Sequence, residues 1–486
     1  MRQKPLLVVV LAAGEGTRMR AGALPKVLHG FAGRSLVGHA LAAFAPLNAD
    51  QTIVVVGHRR DEVTAHLAEI APEAVAVVQA EQNGTGHAVR IALEAADDED
   101  GTVIVVPGDA PLLTVDSAVG LFDDFALGAD MTIMTSLVAD PAGYGRVIRG
   151  ADGRVARIVE HRDANADELA VNEINSGFYA FRGSALREAL GKLSTDNDQG
   201  EEYLTDVAEI LIADGRRVEA FVVPASETAG VNDRVQLAAA HRVYNDRLLE
   251  AHMRAGVTVV DPATTWVDAT VTLEADVTLL PSVDLHGATH IAAGAVVGPQ
   301  TSLTDTTVGA GATLDRVVAK SAVVGAKVTI GPFAYLRPGT TLADDVHIGT
   351  YVEIKNSEIG EGSKVPHLSY VGDATIGHHS NIGAATVFVN YDGVHKHRSV
   401  IGDHARTGAD NMFVAPVNVG DGAYTGAGAV ITGDVPPGAL ARSSARQQNV
   451  AGWVAQRRPG TPAAEAAARA ELEESIEAEA DAEDGA

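Results

Sequence analysis

The chain of 486 residues contains no cysteine. That absence excludes a disulfide framework, a thiolate metal site and a cysteine nucleophile, and it fits a reducing cytoplasm. Aromatic residues are scarce at 4%, and positive charge is outnumbered: 37 lysines and arginines against 64 aspartates and glutamates give a net charge of -27. This balance argues against nonspecific nucleic-acid binding through a basic surface, but not against small anionic substrates, which respond to local charge. Part of the acidic excess sits in the tail ELEESIEAEADAEDGA, which carries eight carboxylates and no base. A long apolar run is missing as well. The start, MRQKPLLVVVLAAGEG, has the basic residue and short apolar run of a signal peptide, but it flows into a glycine-rich loop before reaching membrane-spanning length. It reads as a buried strand.

What is present is ample apolar surface, 46% hydrophobic against 21% charged residues, enough for packed cores. Single cores stop growing near roughly 250 to 300 residues, so two or three domains are expected. Up to about Val235 the apolar runs LLVVVLAAG, TIVVVGH, EAVAVVQ, TVIVVPGD and MTIMTSLVA alternate with polar or helical stretches such as SLVGHALAAFAPL. This pattern predicts an α/β domain over 1–235, Rossmann-like, with a mostly parallel sheet whose ligands sit at the carboxyl ends of the strands. A linking helix is expected over 236–256, with Val235, Ala238, Ala239, Val243, Leu248 and Leu249 as its stripe and Gly256 closing it.

Beyond it a different period takes over. Val324, Ile330, Leu336, Leu342, Ile348 and Ile354 recur every six residues, and Ile401, Thr407, Phe413, Val419, Thr425 and Ile431 resume the step after an interruption. Six is even, so the repeated side chains share one face of each strand, which predicts a parallel β-helix over 257–456 with roughly ten coils. The remainder, 457–486, has almost no large apolar residues and reads as a frayed helix or disordered tail.

Leu11 to Lys26 reads LAAGEGTRMRAGALPK: a strand end, a glycine loop, then the cations Arg18 and Lys26. Such a loop offers backbone N–H groups to phosphate while the cations neutralise charge on a phosphoryl group. It matches neither the dinucleotide fingerprint nor the P-loop. In the order LAAGxGTRM, PKVLH, QAEQNGTGHA, GDAPLL, GYGRV, IVEHRDA, EINSG and GVNDR, the first half resembles the sugar-1-phosphate nucleotidyltransferases. More narrowly it resembles the uridyltransferase half of the bifunctional family that makes UDP-N-acetylglucosamine. The resemblance implies that Leu11, Ala12, Ala13 and Gly14 hold the uridine end of UTP and that Arg18 and Lys26 face its phosphates. It further implies that Gln79, Gly84 and Thr85 read uracil, that Gly145, Glu160 and Asn175 hold the sugar, that Gly108, Asp109 and Asn232 contact the substrate, and that Asp109 and Asn232 carry Mg²⁺. One carboxylate and one amide suit Mg²⁺, which shares most of its oxygen ligands with phosphates and water. Taken alone, Asp109 is equally a turn residue and Asn232 a helix cap. The loop RAGAL between Met19 and Pro25 is one residue longer than the family spacing.

On the β-helix, Arg337, Lys355, His367, Tyr370, Asn381, Asn390 and Tyr391 are polar side chains on a scaffold that needs only small and aliphatic ones, and FVNYDGVHKHRS interrupts the six-residue step. These stretches resemble the glucosamine-1-phosphate acetyltransferase half of the same family. That likeness implies the left-handed form of the helix. It also implies that Arg337 and Lys355 bind the sugar phosphate, Tyr370 and Asn381 complete the pocket, His367 is the general base, and Ala384, Asn390, Tyr391 and Ala427 line the acetyl-CoA site. An amine attacks a thioester only when neutral, which is why a base is required. Two departures stand out: Ala409 where the family has serine, and Ser444 in place of a late arginine, for which Arg442 or Arg446 could substitute. A zinc site built on His378, His379, His395 and His397 is the weaker reading of those histidines, which are more simply solvated or directed at the phosphates of CoA.

The resemblance therefore implies a cytoplasmic, homotrimeric, bifunctional enzyme acting on glucosamine-1-phosphate, acetyl-CoA, N-acetylglucosamine-1-phosphate and UTP, without a nucleic-acid partner or membrane span. Its competitors are another nucleotide-sugar pyrophosphorylase with a passive β-helix, and a non-catalytic assembly subunit.

Overall fold

The computed structural model describes residues 5–20, 24–97, 100–443 and 447–484. The inserted residue of the loop before Lys26 falls within or beside 21–23, and Ser444 and Arg446 also lie outside the described residues.

Leu6–Ala12 starts a sheet of nine strands among the described residues, ordered 218–222, 131–137, 173–182, 102–107, 6–12, 51–56, 75–78, with the hairpin 146–149 and 155–159 attached to its antiparallel member. Glu173–Arg182 runs antiparallel to both neighbours, and the other pairings along that order are parallel. The first strand shows why its sequence is apolar at every position: Leu7 and Val9 face one helix layer, while Leu6, Val8, Val10 and Ala12 face the other. The loops after Ala12, Val56, Val78 and Pro107 consequently gather at one edge of the sheet, as the α/β pattern predicts.

The linking helix spans Arg234–Arg254, capped by the Asp233 side chain on the Gln236 N–H, and the chain leaves it at Gly256 with φ near 100°. Its buried face is the predicted stripe only at Val243, Leu248 and Leu249, since Val235, Ala238 and Ala239 are exposed. Leu237, Ala240, Val243, Tyr244 and Leu248 pack on Phe31, Leu36 and Leu112 of the first domain, whereas Leu249 enters the core of the β-helix. Two partners on different sides set the face, which a single amphipathic period cannot describe. Asn245, fully buried, donates through Nδ2 to the Thr265 carbonyl and accepts at Oδ1 from the Val267 N–H, both at 2.9 Å. It thereby serves as a hydrogen-bonding partner at the open edge of the first coil.

The second domain is a three-sided parallel β-helix with sheets of seven, ten and nine strands among the described residues. All twelve repeated positions named above are buried. Corners must be tight: a Cβ on Gly309 would lie 2.6 Å from the Ala326 nitrogen of the next coil. Successive rungs such as Leu336, Ile354 and Val371 stay in register until the interruption, where nine residues separate Val389 from Ser399 although two suffice between Val414 and Val417. Of the two readings of the tail, a frayed helix or disorder, the structure has a helix over Pro462–Asp484. Its alanine, glutamate and arginine content favours helix even without a core to pack against.

Candidate active sites

At the carboxyl edge of the first sheet, Leu11, Ala12, Gly14, Gly16, Arg18, Lys26, Asp109 and Asn232 line one cleft. The Lys26 ammonium pairs with the Asp109 carboxylate and donates to Asn232 Oδ1 at 2.9 Å, and Arg18 Nη2 donates to the same Oδ1 at 2.8 Å. The backbone builds this arrangement: the Gly108 N–H bonds the Leu11 carbonyl at 2.9 Å and the Val231 N–H bonds the Asp109 carbonyl at 2.8 Å. Because Asp233 is the helix cap, Asn232 is left free to turn its amide into the cleft. Two hard oxygens, one anionic, thus converge on a positive charge, a donor set that fits a small divalent cation once the lysine moves onto phosphate.

Beside it, buried Gln79 donates to the Gly84 carbonyl at 3.0 Å, and Thr85 opens the helix Thr85–Glu94 with its hydroxyl accepting from the Leu204 N–H. Gly145, Glu160 and Asn175 form a neighbouring group: the Asn175 N–H bonds the Gly145 carbonyl at 2.9 Å, and Glu160 flanks Gly145. Asn175 lies beyond the end of Thr102–Pro107, because Tyr179, four residues later in the antiparallel strand, pairs with Val105. Burial pushes the Glu160 carboxyl upward; a hydrogen bond from Thr205 Oγ1 opposes this, and Asp163 and Asp206 add to the rise.

On the β-helix the structure splits the anticipated residues between two corners of the ten-stranded sheet. Arg337, Lys355 and Asn390 stack with Asp373 at its carboxyl edge, and the Tyr370 ring reaches across to that corner, its hydroxyl 3.4 Å from Asn390 Nδ2. Arg337 is paired with Glu353 at 2.8 Å and Lys355 with Asp373 at 3.3 Å. His367 lies at the other corner, exposed, in the column continued by Ala384, Ala409 and Ala427. No side chain among the described residues hydrogen-bonds its imidazole. Asn381 is elsewhere again, bridging Lys364 and Arg406 in a third ladder, so within one chain it does not join Tyr370. Tyr391 is exposed in the inserted loop, its hydroxyl on the Gly393 carbonyl at 2.6 Å. In the same loop His397 pairs with Asp392 at 2.7 Å, while His379 stacks on His404, so these histidines do not converge.

The nucleotidyl transferase family matches residues 7–269, and the bacterial transferase hexapeptide family (six repeats) matches 321–356. The Bifunctional protein GlmU of Streptomyces coelicolor is 59% identical over 485 residues, covering 99% of each chain. Those of Streptomyces avermitilis and Thermobifida fusca are 60% and 57% identical, over 96% of this chain and 97% and 98% of their own. The chain belongs to the bifunctional GlmU family. It is an enzyme of two transferase activities, which together make UDP-N-acetylglucosamine by acetyl transfer and uridyl transfer.

For a GlmU-family chain, two residues were missed in the sequence. Gln82 donates from Nε2 to the Ala13 carbonyl at 2.8 Å, tying the loop after Val78 to the glycine loop. Asp373 collects three side-chain donors. Its signal was available: it is one more polar residue on a scaffold of small and aliphatic ones.

Proposed function

We propose that the domains divide at 1–235, 236–256, 257–456 and 457–486, and that each activity occupies one of the two larger parts. In the first, N-acetylglucosamine-1-phosphate attacks the α-phosphate of UTP in line and pyrophosphate leaves. Leu11, Ala12, Ala13 and Gly14 receive the nucleoside, Gln79, Gly84 and Thr85 the uracil, and Gly145, Glu160 and Asn175 the sugar. Arg18 acts directly on the charge of the transferring phosphoryl group, and Lys26, released from Asp109 and Asn232 when substrate arrives, joins it. Asp109 and Asn232 would hold Mg²⁺, which when bound supplies charge neutralisation at the phosphates. The convergence of Lys26 and Arg18 on Asp109 and Asn232 carries this reading.

In the second, His367 removes the amine proton of glucosamine-1-phosphate as acetyl-CoA is attacked. Arg337 and Lys355 hold the phosphate, Tyr370 and Asn381 complete the pocket, and Ala384, Asn390, Tyr391 and Ala427 line the CoA side. Two observations favour a homotrimer in which subunits complete one another's sites. The residues are split between corners, and Phe333, Tyr351 and Leu368 form an exposed apolar ladder, each with φ of 50–63°, beside His367. The absence of cysteine supports a cytoplasmic setting. Among the described residues no helix is long and apolar enough to cross a membrane.

The test is a paired assay on purified protein: thiol release from acetyl-CoA with glucosamine-1-phosphate, and pyrophosphate release from UTP with N-acetylglucosamine-1-phosphate. Both signals are expected, and chelation of divalent metal should stop the second alone. Pyrophosphate without thiol would refute the acetyl-transfer roles and point to Ala409 as disabling.

A further inference from the structure

Asp373 has no part in the roles above, yet it is the most heavily bonded side chain at that corner. It is only 6% exposed and its φ of 51° holds it in the left-handed region, with its N–H on the Lys355 carbonyl at 3.0 Å and its own carbonyl accepting from the Ser399 N–H at 3.1 Å. Oδ1 accepts from Asn356 Nδ2 at 2.6 Å, and Oδ2 accepts from both Lys355 Nζ and Asn390 Nδ2. Burial pushes this carboxyl up, but the bonds from Asn356, Asn390 and Lys355 together hold it below its ordinary range. A carboxylate can only accept, so the amide of Asn390 must present its NH₂ group to Asp373 and turn its carbonyl oxygen the other way.

The two groups fixed in this manner belong to different substrates, Lys355 to the sugar phosphate and Asn390 to the acetyl donor. We propose that Asp373 is a positioning residue of acetyl transfer, one carboxylate that fixes the Lys355 ammonium relative to the Asn390 amide and so aligns acceptor amine with thioester. The inference rests on the roles proposed for Lys355 and Asn390. Alignment acts on the reacting complex, so its loss should fall on kcat more than on either KM.

The experiment measures acetyl transfer by Asp373→Asn, Asn390→Ala, Lys355→Ala and the Asp373→Asn/Asn390→Ala pair, with uridyl transfer on the same samples as the control for folding. Asp373→Asn should lower kcat about 100-fold, the scale of a displaced reacting group, with each KM changed less than about threefold. The double variant should be no slower than its worse single parent, because both act through one contact. An unchanged kcat for Asp373→Asn, a loss confined to KM, or additive losses in the pair would each overturn the proposal. Full activity in both Lys355→Ala and Asn390→Ala would instead overturn the roles beneath it, and the proposal with them. Should Asp373→Asn fail to fold, Asn356→Ala removes only the Oδ1 donor. It should lower kcat about tenfold through a looser carboxylate, and an unchanged kcat there refutes the alignment role.

Discussion

Gly372 separates the two activities cleanly. It lies in Tyr370–Gly372, on the outer face of the ten-stranded sheet, and its φ is not in the positive region, so alanine meets no backbone strain there. A Cβ at this position would lie 2.7 Å from Tyr370 Cζ and 2.7 Å from Asn390 Nδ2, closer than real Cβ atoms come to other heavy atoms. Both neighbours are the outer ends of side chains and can yield, so Gly372→Ala should fold, with the ring and the amide displaced by roughly 1 Å. A misplacement of about that size costs about 100-fold in rate, or about 2.7 kcal/mol of transition-state stabilisation. Thiol release from acetyl-CoA should therefore fall about two orders of magnitude, while pyrophosphate release stays at the parent rate. Acetyl transfer within threefold of the parent, in a variant with unaltered circular dichroism and uridyl transfer, would refute the placement of Tyr370 and Asn390 in the site.

The remaining predictions address the other parts. His367→Ala should abolish acetyl transfer and spare uridyl transfer, and Asp109→Ala should do the reverse; loss of both activities in either folded variant would contradict the division of labour. Asn245→Ala leaves the Thr265 carbonyl and the Val267 N–H buried without partners, at a cost of roughly 3 kcal/mol. A lowered urea midpoint should register in the fluorescence of Trp266, which packs on His241 and Arg242 beside this contact, and an unchanged midpoint would count against it. Burial, with Glu209 and Asp163 nearby, raises the Asp206 carboxyl to about 6 from its ordinary 3.8. The folded state then binds more protons than the unfolded one between those values, so the group lowers stability as pH rises through that window. Asp206→Asn should accordingly raise Tm at pH 8 relative to the parent and make little difference at pH 4; equal shifts at both pH values would exclude the charge as the cause.

Much of this architecture was legible in the sequence because its periods are rigid. A step of six residues declares which side chains point inward, and all twelve repeated positions do. What the step does not declare is the corner on which an outward residue falls, because successive coils run to 16, 17 or 18 residues. His367 and Lys355 read as companions for that reason, yet His367 ends Lys364–His367 of the seven-stranded sheet and Lys355 ends Glu353–Lys355 of the ten-stranded one. The linking helix was legible at Val243, Leu248 and Leu249 but not throughout: its face answers to Leu112 on one side and the β-helix core on the other, so Val235 and Ala238 stay in solvent while Asn245 is buried. The phosphate-facing cleft was the easier case, since its residues sit on loops that follow strands, and a parallel sheet brings such loops to one edge.

The register of the β-helix also makes it a rack with a fixed pitch. Arg337 and Lys355 occupy successive rungs, with Gly372 opposite Lys355 on the next and Asp373 one residue beyond it, the rungs about 4.8 Å apart, so the spacing of the cations offered to the acetyl acceptor is set by backbone ladders and not by flexible side chains. A whole coil added or removed between Val259 and Val324 would translate that group bodily away from or toward the uridyl domain without altering its internal distances. Lengthening the prism is thus neutral for chemistry on the scaffold, whereas a residue gained within a strand between Arg337 and Asn390 would turn outward side chains inward and break the group.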